Sequence, residues 1–319
     1  MSTKRSSLFW IVVLLIVGFF TICALGIIGT TAMVKSLTSS KGSSFSGKNG
    51  NIAIVELNDV IMDSYHVNKT LEKAFNDNSI KAIVLRISSP GGAVGPSQEI
   101  YEFVKEINEK KPVICSLADV AASGGYYIAS ACRKIVANPG TMTGSIGVVM
   151  HFMNTKELVS WLKLKPFLIK AGKRKDIGNP YRDMTEQEKT FLQEMITQVH
   201  DQFKKAVSEG RKISMDIMNE IGDGRILNGE EAKKLNLVDA LGGERAAIRL
   251  AAEAAGITGK PKAVRPNRYN NRIERFLNQE SKNDNSINSL VKSLPIYQNL
   301  ALKPGQIYYL SPLFINGNM

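Results

Sequence analysis

The sequence predicts an α/β domain in which buried strands alternate with helices. Three observations carry this. The run AIVLRI at 82–87 is almost continuously apolar, as in a strand covered on both faces. The next segment, 96–111, places Ile100, Phe103, Val104 and Ile107 on one helical face. Strand-like and helix-like stretches then alternate to about residue 243, the order that parallel pairing requires.

Taken in order, NIAIVELNDVIM (51–62) is β-rich and partly alternating, hence a strand. After the strand at 82–87 and the helix at 96–111, PVICSLADV (112–120) is the next strand. GGYYIASACRK (124–134) reads as a helix and KIVANPG (134–140) as a short strand. SIGVVMHFM (145–153) is expected as another strand, TKELVSWLKL (155–164) as a helix and PFLIKAG (166–172) as a strand. From Thr185 to about Glu209 runs one long helix, opened by a capping box with Thr185 at the cap and Glu188 three residues on. NGEEAKKLNLVDALGG (228–243) gives a helix, a short strand at LVDA and a glycine turn. From about Arg265 the chain turns polar and Asn-rich, expected as a mobile surface segment before a short apolar end, QIYYLSPLF.

The N-terminal part is of another kind. Residues 8–28 run for 21 positions without a charge, which at 1.5 Å per residue spans a bilayer core of about 30 Å. Lys4 and Arg5 precede the run and the next charge is Lys35, so the N-terminus is expected in the cytoplasm and the bulk of the chain outside it. A cleaved signal peptide would have a shorter apolar core and a small-x-small exit, neither of which is present. The expected organisation is a cytoplasmic N-terminus (1–7), a transmembrane anchor (8–30), a Ser/Gly-rich linker (31–50), one catalytic domain (51–265) and a polar extension (266–319).

The chain has 319 residues, a net charge of +12, 44% hydrophobic and only 7% aromatic residues. No nucleic-acid motif accompanies the charge, so it reads as a solvated basic surface rather than a nucleic-acid site. The three cysteines form no CxxC pair and His66, His151 and His200 are scattered, which gives no zinc pattern. No metal or cofactor is expected. Cys115 and Cys132 sit in apolar segments and read as buried thiols, with their pairing left open.

Three stretches hold residues suited to chemistry. SSPGG (88–92) ends a buried strand and leads into a helix, so the N–H groups of Gly91 and Gly92 can meet an anion directly; an ordinary strand-to-helix turn is the plain alternative. DVAASGGYYIA (119–129) places Ser123 among alanines and glycines at another such junction, as a nucleophile on an exposed turn or as a common serine cap. Tyr126 and Tyr127, one turn on, read as core. KAGKRKDIGNP (170–180) holds Lys170, Lys173, Arg174 and Lys175, either a solvated basic loop or the source of a general base. A lysine in that role must be neutral near physiological pH, a displacement of about 4 kcal/mol that burial and neighbouring cations supply.

Together, AIVLRISSPGG, DVAASGGYYIA, TMTGSIGV and KDIGNP, in this order and after an N-terminal anchor, resemble the signal peptide peptidase A family. The resemblance spans roughly residues 51–250. It implies a Clp protease/crotonase-like fold of repeated ββα units and a membrane-bound serine endopeptidase with a Ser/Lys dyad. By motif position the nucleophile is Ser123 and the base Lys175, 52 residues later, with Ser145 of TGSIG orienting the lysine. Gly91, Gly92 and Gly124 match the oxyanion hole. Arg174 stands where family members often carry an aromatic or a histidine; the D…P spacing selects Lys175 over Lys173. The resemblance further implies peptide substrates such as remnant signal peptides, a homo-octamer, and a location in the inner membrane with the peptidase domain on the extracytoplasmic side. Two rivals stand beside it: a Clp-like Ser/His/Asp triad using His151, 28 residues after Ser123, and an inert membrane scaffold of the same fold.

Overall fold

A computed structural model of the chain describes Phe45, residues 50–266 and the backbone of residues 307–310. The anchor expected at 8–30 lies outside the described residues; among these, no helix is long and apolar enough to cross a membrane. Most of the polar extension expected at 266–319 lies outside them as well.

The architecture is mixed α/β. Strands β1 (Ile52–Asn58), β2 (Ala82–Ser89), β4 (Val113–Ala122) and β5 (Lys134–Ala137) form the centre of a sheet. The short strands β9 (Ala240–Leu241) and β10 (Ala263–Val264) complete the order β10-β1-β2-β4-β5-β9, with every pair parallel. Side chains alternate between two covered faces. Ala53, Val55, Leu57, Ile83, Leu85, Ile87, Cys115 and Leu117 belong to a large core shared with helices α1 (Tyr65–Asn76), α2 (Val94–Lys110) and α3 (Gly124–Ala129). Ile52, Ile54, Val84, Ile114 and Val136 point the other way, onto Ala247, Ala251 and Ala252 of helix α8 (Glu244–Ala254). Burial on both sides is why the strands read as near-continuous apolar runs.

Strand β4 forks. Its first half pairs with β5, while Val120–Ala122 pair with β6 (Met142–Gly144), which in turn pairs antiparallel with β8 (Ile226–Leu227). The β2–β4 register shifts between Ile87 and Ser89, a bulge of the kind that re-aims a chain end beside a site. Beyond it, β3 (Gly91–Ala93) leaves the main sheet. It forms a second, three-stranded antiparallel sheet with β11 (Ile307–Leu310) and β7 (Val149–Met150), in the order β3-β11-β7.

After β7 the chain makes an excursion with one short helix, α4 (Lys156–Trp161), and returns at Pro180, whose carbonyl accepts the N–H of Thr155 at 2.7 Å. Helix α5 (Glu186–Arg211) follows, then α6 (Met215–Ile221) and α7 (Gly229–Lys234). Two strand expectations fail here. Of 145–153 only Val149 and Met150 are strand, and 166–172 is not strand at all. Phe167 and Ile169 are 84% and 82% exposed, so the apolar side chains there are uncovered by the described residues. Cys115 and Cys132 also differ from expectation: the structure joins them in a disulfide, with Cα atoms 5.8 Å apart, inside the range a bridge needs. Two buried thiols brought this close by the return of the chain from α3 to β5 are placed for oxidation, which two isolated apolar segments do not reveal.

Candidate active site

Ser123 lies where β4 ends and α3 begins. Its backbone has φ 53° and ψ −120°, a conformation that L-residues rarely adopt. It caps nothing with its side chain, which sets aside the plain serine-cap reading. The residue is fully buried and its Oγ has no hydrogen-bond partner. A buried hydroxyl without a partner loses the free energy of an unmade hydrogen bond, on the order of 1–3 kcal/mol, a cost that a functional role for the group would explain.

Three of the four motifs converge on this serine. The Ser123 N–H donates to Gly144 O at 2.8 Å, tying it to the turn of TGSIG. Gly144 and Ser145 both have positive φ, 74° and 51°, and the buried Ser145 donates its N–H to Arg225 O at 2.7 Å. His200 Nε2 holds the next residue, 3.0 Å from Ile146 O and 2.8 Å from Gly222 O. On the other side, a Cβ at Gly125 would come within 3.0 Å of Ser89 O, so the serine turn lies directly against SSPGG.

The glycines divide the work. The Gly91 N–H is engaged by Ser89 Oγ at 3.2 Å, and Ser89 Oγ donates to Asp59 O at 2.6 Å. Gly91, at φ 108°, therefore shapes the turn rather than offering a donor. Gly92 packs so closely on Ile61 that a Cβ would fall 2.1 Å from its carbonyl oxygen. Gly124 is the first residue of α3, and its N–H has no acceptor one turn back. Gly92, which stands opposite Tyr309 in the ladder with β11, and Gly124 remain the candidate N–H donors for a developing oxyanion. Ser89 is a site residue that the sequence reading passed over, although it stands inside the SSPGG motif.

The fourth motif stands apart. Lys175 is exposed, on the returning arm of the excursion, and lines a cavity of about 590 Å³ with Phe167, Leu168, Ile177, Asn179 and Tyr181. Its Nζ does not hydrogen-bond Ser123 Oγ, and neither does His151, which is also exposed. Tyr126 and Tyr127 are core, as read: Tyr126 Oη donates to Leu237 O at 2.7 Å, and Tyr127 packs between Tyr101 and Phe203. Burial pushes Tyr127 up to about 12.

Comparison with known proteins gives the family. The model of the Clp protease family matches residues 48–143 and that of peptidase family S49 residues 105–258. The chain is 40% identical over 185 residues to the Synechocystis protein named "Putative protease slr0021", a stretch covering 58% of this chain and 67% of the relative. It is 35% identical over 173 residues to an Enterococcus faecium protein named "Putative signal peptide peptidase SppA", covering 54% and 50%. To Protease 4 of Salmonella typhi it is 32% identical over 216 residues, covering 65% and 35%. The matched stretch thus spans between about a third and two thirds of these relatives. Fold and matches define a protease with a Clp-like α/β domain. Within that class, the chain belongs to peptidase family S49.

Proposed function

We propose that this protein is a membrane-anchored serine endopeptidase with Ser123 as nucleophile and Lys175 as general base, acting on extended peptides such as remnant signal peptides on the extracytoplasmic side of the inner membrane. The observation that carries the reading is the buried, unpartnered Ser123 Oγ on a strained turn beside Gly92 and Gly124. Ser123 Oγ attacks the peptide carbonyl and gives its proton to the neutral amine of Lys175. The carbonyl oxygen, now an oxyanion, takes the N–H groups of Gly92 and Gly124. Protonated Lys175 then gives its proton to the departing amine, and water, activated by the same lysine, releases the acyl group. Ser145, one residue beyond the carbonyl that holds Ser123, orients the amine.

The substrate main chain adds as a strand. Support comes from β11, whose residues Tyr308, Tyr309 and Leu310 pair antiparallel with Ala93, Gly92 and Gly91 on one side, while Ile307 and Tyr308 pair with Met150 and Val149 on the other. An extended segment therefore fits the strip beside Gly92.

The base comes from a second copy of the chain. Lys175 faces solvent on an excursion where Trp161, Phe167 and Ile169 are 76%, 84% and 82% exposed. Such an apolar arm needs a cover, and the family's homo-octamer supplies neighbours for it. A fluorophosphonate should label Ser123 in the wild-type protein and not in Ser123→Ala. Mixing Ser123→Ala with Lys175→Ala should restore activity, because hybrid assemblies contain intact Ser/Lys pairs; two single variants that stay dead on mixing refute supply in trans. An active Lys175→Ala with an inactive His151→Ala would replace the dyad by a histidine base.

A further inference from the structure

We propose that Arg182 is a positioning residue for Lys175, acting through Asp176; this rests on Lys175 being the general base. Arg182 lies between the lysine loop and helix α5 and reaches both with one guanidinium. Toward the loop, its Nε donates to Asp176 Oδ2 at 2.9 Å and Nη2 to the Asp176 carbonyl at 3.0 Å. Toward the helix, Nη1 and Nη2 donate to the two carboxylate oxygens of Glu188 at 2.8 and 2.6 Å, a bidentate fork. Nη1 also reaches the Asp183 carbonyl at 3.0 Å.

Both carboxylates are largely covered, with side chains 8% and 11% exposed. Glu188 is fixed in turn by the helix start, where it accepts the Thr185 N–H at 3.0 Å and Thr185 Oγ1 accepts the Glu188 N–H at 3.2 Å. Asp176 takes a second cation, Lys170, on its other oxygen. The loop is thereby stapled to a 26-residue helix at the residue that follows Lys175. Arg174, on the other side of Lys175, lies 4.4 Å over the Phe191 ring of the same helix. Both neighbours of Lys175 are thus held against α5 and Lys170 is engaged by Asp176, which fixes the place of Lys175 while its side chain stays exposed.

A lysine has four rotatable side-chain bonds, so a base that must reach a hydroxyl at hydrogen-bond distance depends on where its Cα is held. Arg182 sets that place without touching substrate or nucleophile. A lysine at 182 keeps the charge but loses the fork that spans Asp176 and Glu188 at once.

The test uses the full-length, detergent-solubilised protein and a fluorogenic peptide. Arg182→Ala should lower kcat about 10- to 100-fold with KM nearly unchanged, and guanidinium ion at millimolar concentration should recover much of the loss. Arg182→Lys should fall between Arg182→Ala and wild type. Asp176→Asn leaves the Arg182–Glu188 fork in place and should lower kcat likewise, which keeps the test decisive if Arg182→Ala does not fold. Ser214→Ala damages only the start of α6, whose Ile217 N–H the serine caps; it should lower Tm and keep kcat. Lys175→Ala should be inactive and unmoved by guanidinium. Wild-type kcat in folded Asp176→Asn or Arg182→Ala, with Lys175→Ala dead, overturns the positioning role and leaves the dyad standing. An active Lys175→Ala overturns both.

Discussion

At Gly92, the proposed oxyanion donor, the fold depends on the absence of a single atom. It stands opposite Tyr309 in the ladder with β11, and the space a Cβ would occupy is taken by backbone: Ile61 O lies 2.1 Å and Ile61 N 2.5 Å from that point. Backbone does not swing aside as the end of a flexible side chain does. Gly92→Ala should therefore displace β3, lower Tm and cost about 10²-fold or more in kcat through loss of an oxyanion donor. Gly95 is the control. It lies in α2 with nothing within 4 Å of the point an added methyl would occupy, so Gly95→Ala should keep activity and add up to about 1 kcal/mol of stability through helix propensity. The two glycines are three positions apart and indistinguishable by composition. The sequence marks SSPGG as permissive, but which N–H is already taken by Ser89 follows only from the folded turn.

Helix α5 shows what was readable at the scale of elements. TEQE announces the cap, the structure completes the capping box at Thr185 and Glu188, and the helix runs to Arg211. Arg182 and the Thr185 N–H together hold the Glu188 carboxyl down at about 2. A carboxyl held below its ordinary value stabilises the fold above that value, about 4.3, and the contribution fades as pH falls toward 2. The urea midpoint of Glu188→Gln should hence lie below that of wild type by a constant margin from pH 7 to about 5, and the margin should shrink below about pH 4. Strands β1, β2, β4 and β5 were legible because both of their faces are covered and their apolar runs are long. The three-residue strands β3 and β6 were not, since their pairing is set by the bulge in β2 and the fork in β4. Residues 166–172 read as a strand because PFLI is apolar and β-prone, yet the described residues offer it no pairing partner. The four motifs were legible as a set, while the gap between Ser123 and Lys175 was not, because spacing along a chain carries no distance in space.

At the scale of the whole molecule, the Cys115–Cys132 bridge ties the first half of β4 to the stretch between α3 and β5, closing a sequence separation of 17 residues. A loop of that size is stabilised by about 3 kcal/mol in the chain-entropy account. A bridge also persists best in an oxidising compartment, in keeping with the proposed extracytoplasmic domain. Cys132→Ser should lower Tm by several degrees under non-reducing conditions, and dithiothreitol should erase the difference from wild type. If wild type and variant melt alike without reductant, the bridge contributes nothing to the fold.

The C-terminal strand makes the last prediction. β11 occupies the strip between β3 and β7, and its register places Tyr309 opposite Gly92, the residue proposed to hold the oxyanion. Main-chain pairing there is sequence-tolerant, because the hydrogen bonds run between backbones. A peptide that binds as a strand must therefore displace the chain's own segment before it can react. Competition of this kind acts on binding and leaves the bound transition state alone. A chain ending at residue 266 should show a KM several-fold lower than that of the full-length protein, with kcat unchanged. Tyr309→Pro removes one backbone donor from the ladder without shortening the chain and should act in the same direction. Steady-state kinetics on one fluorogenic peptide separates the outcomes. A lower KM at equal kcat means that β11 holds the substrate strip, whereas a collapse of kcat with a lower Tm means that β11 is a structural strand of the second sheet and that substrates bind elsewhere.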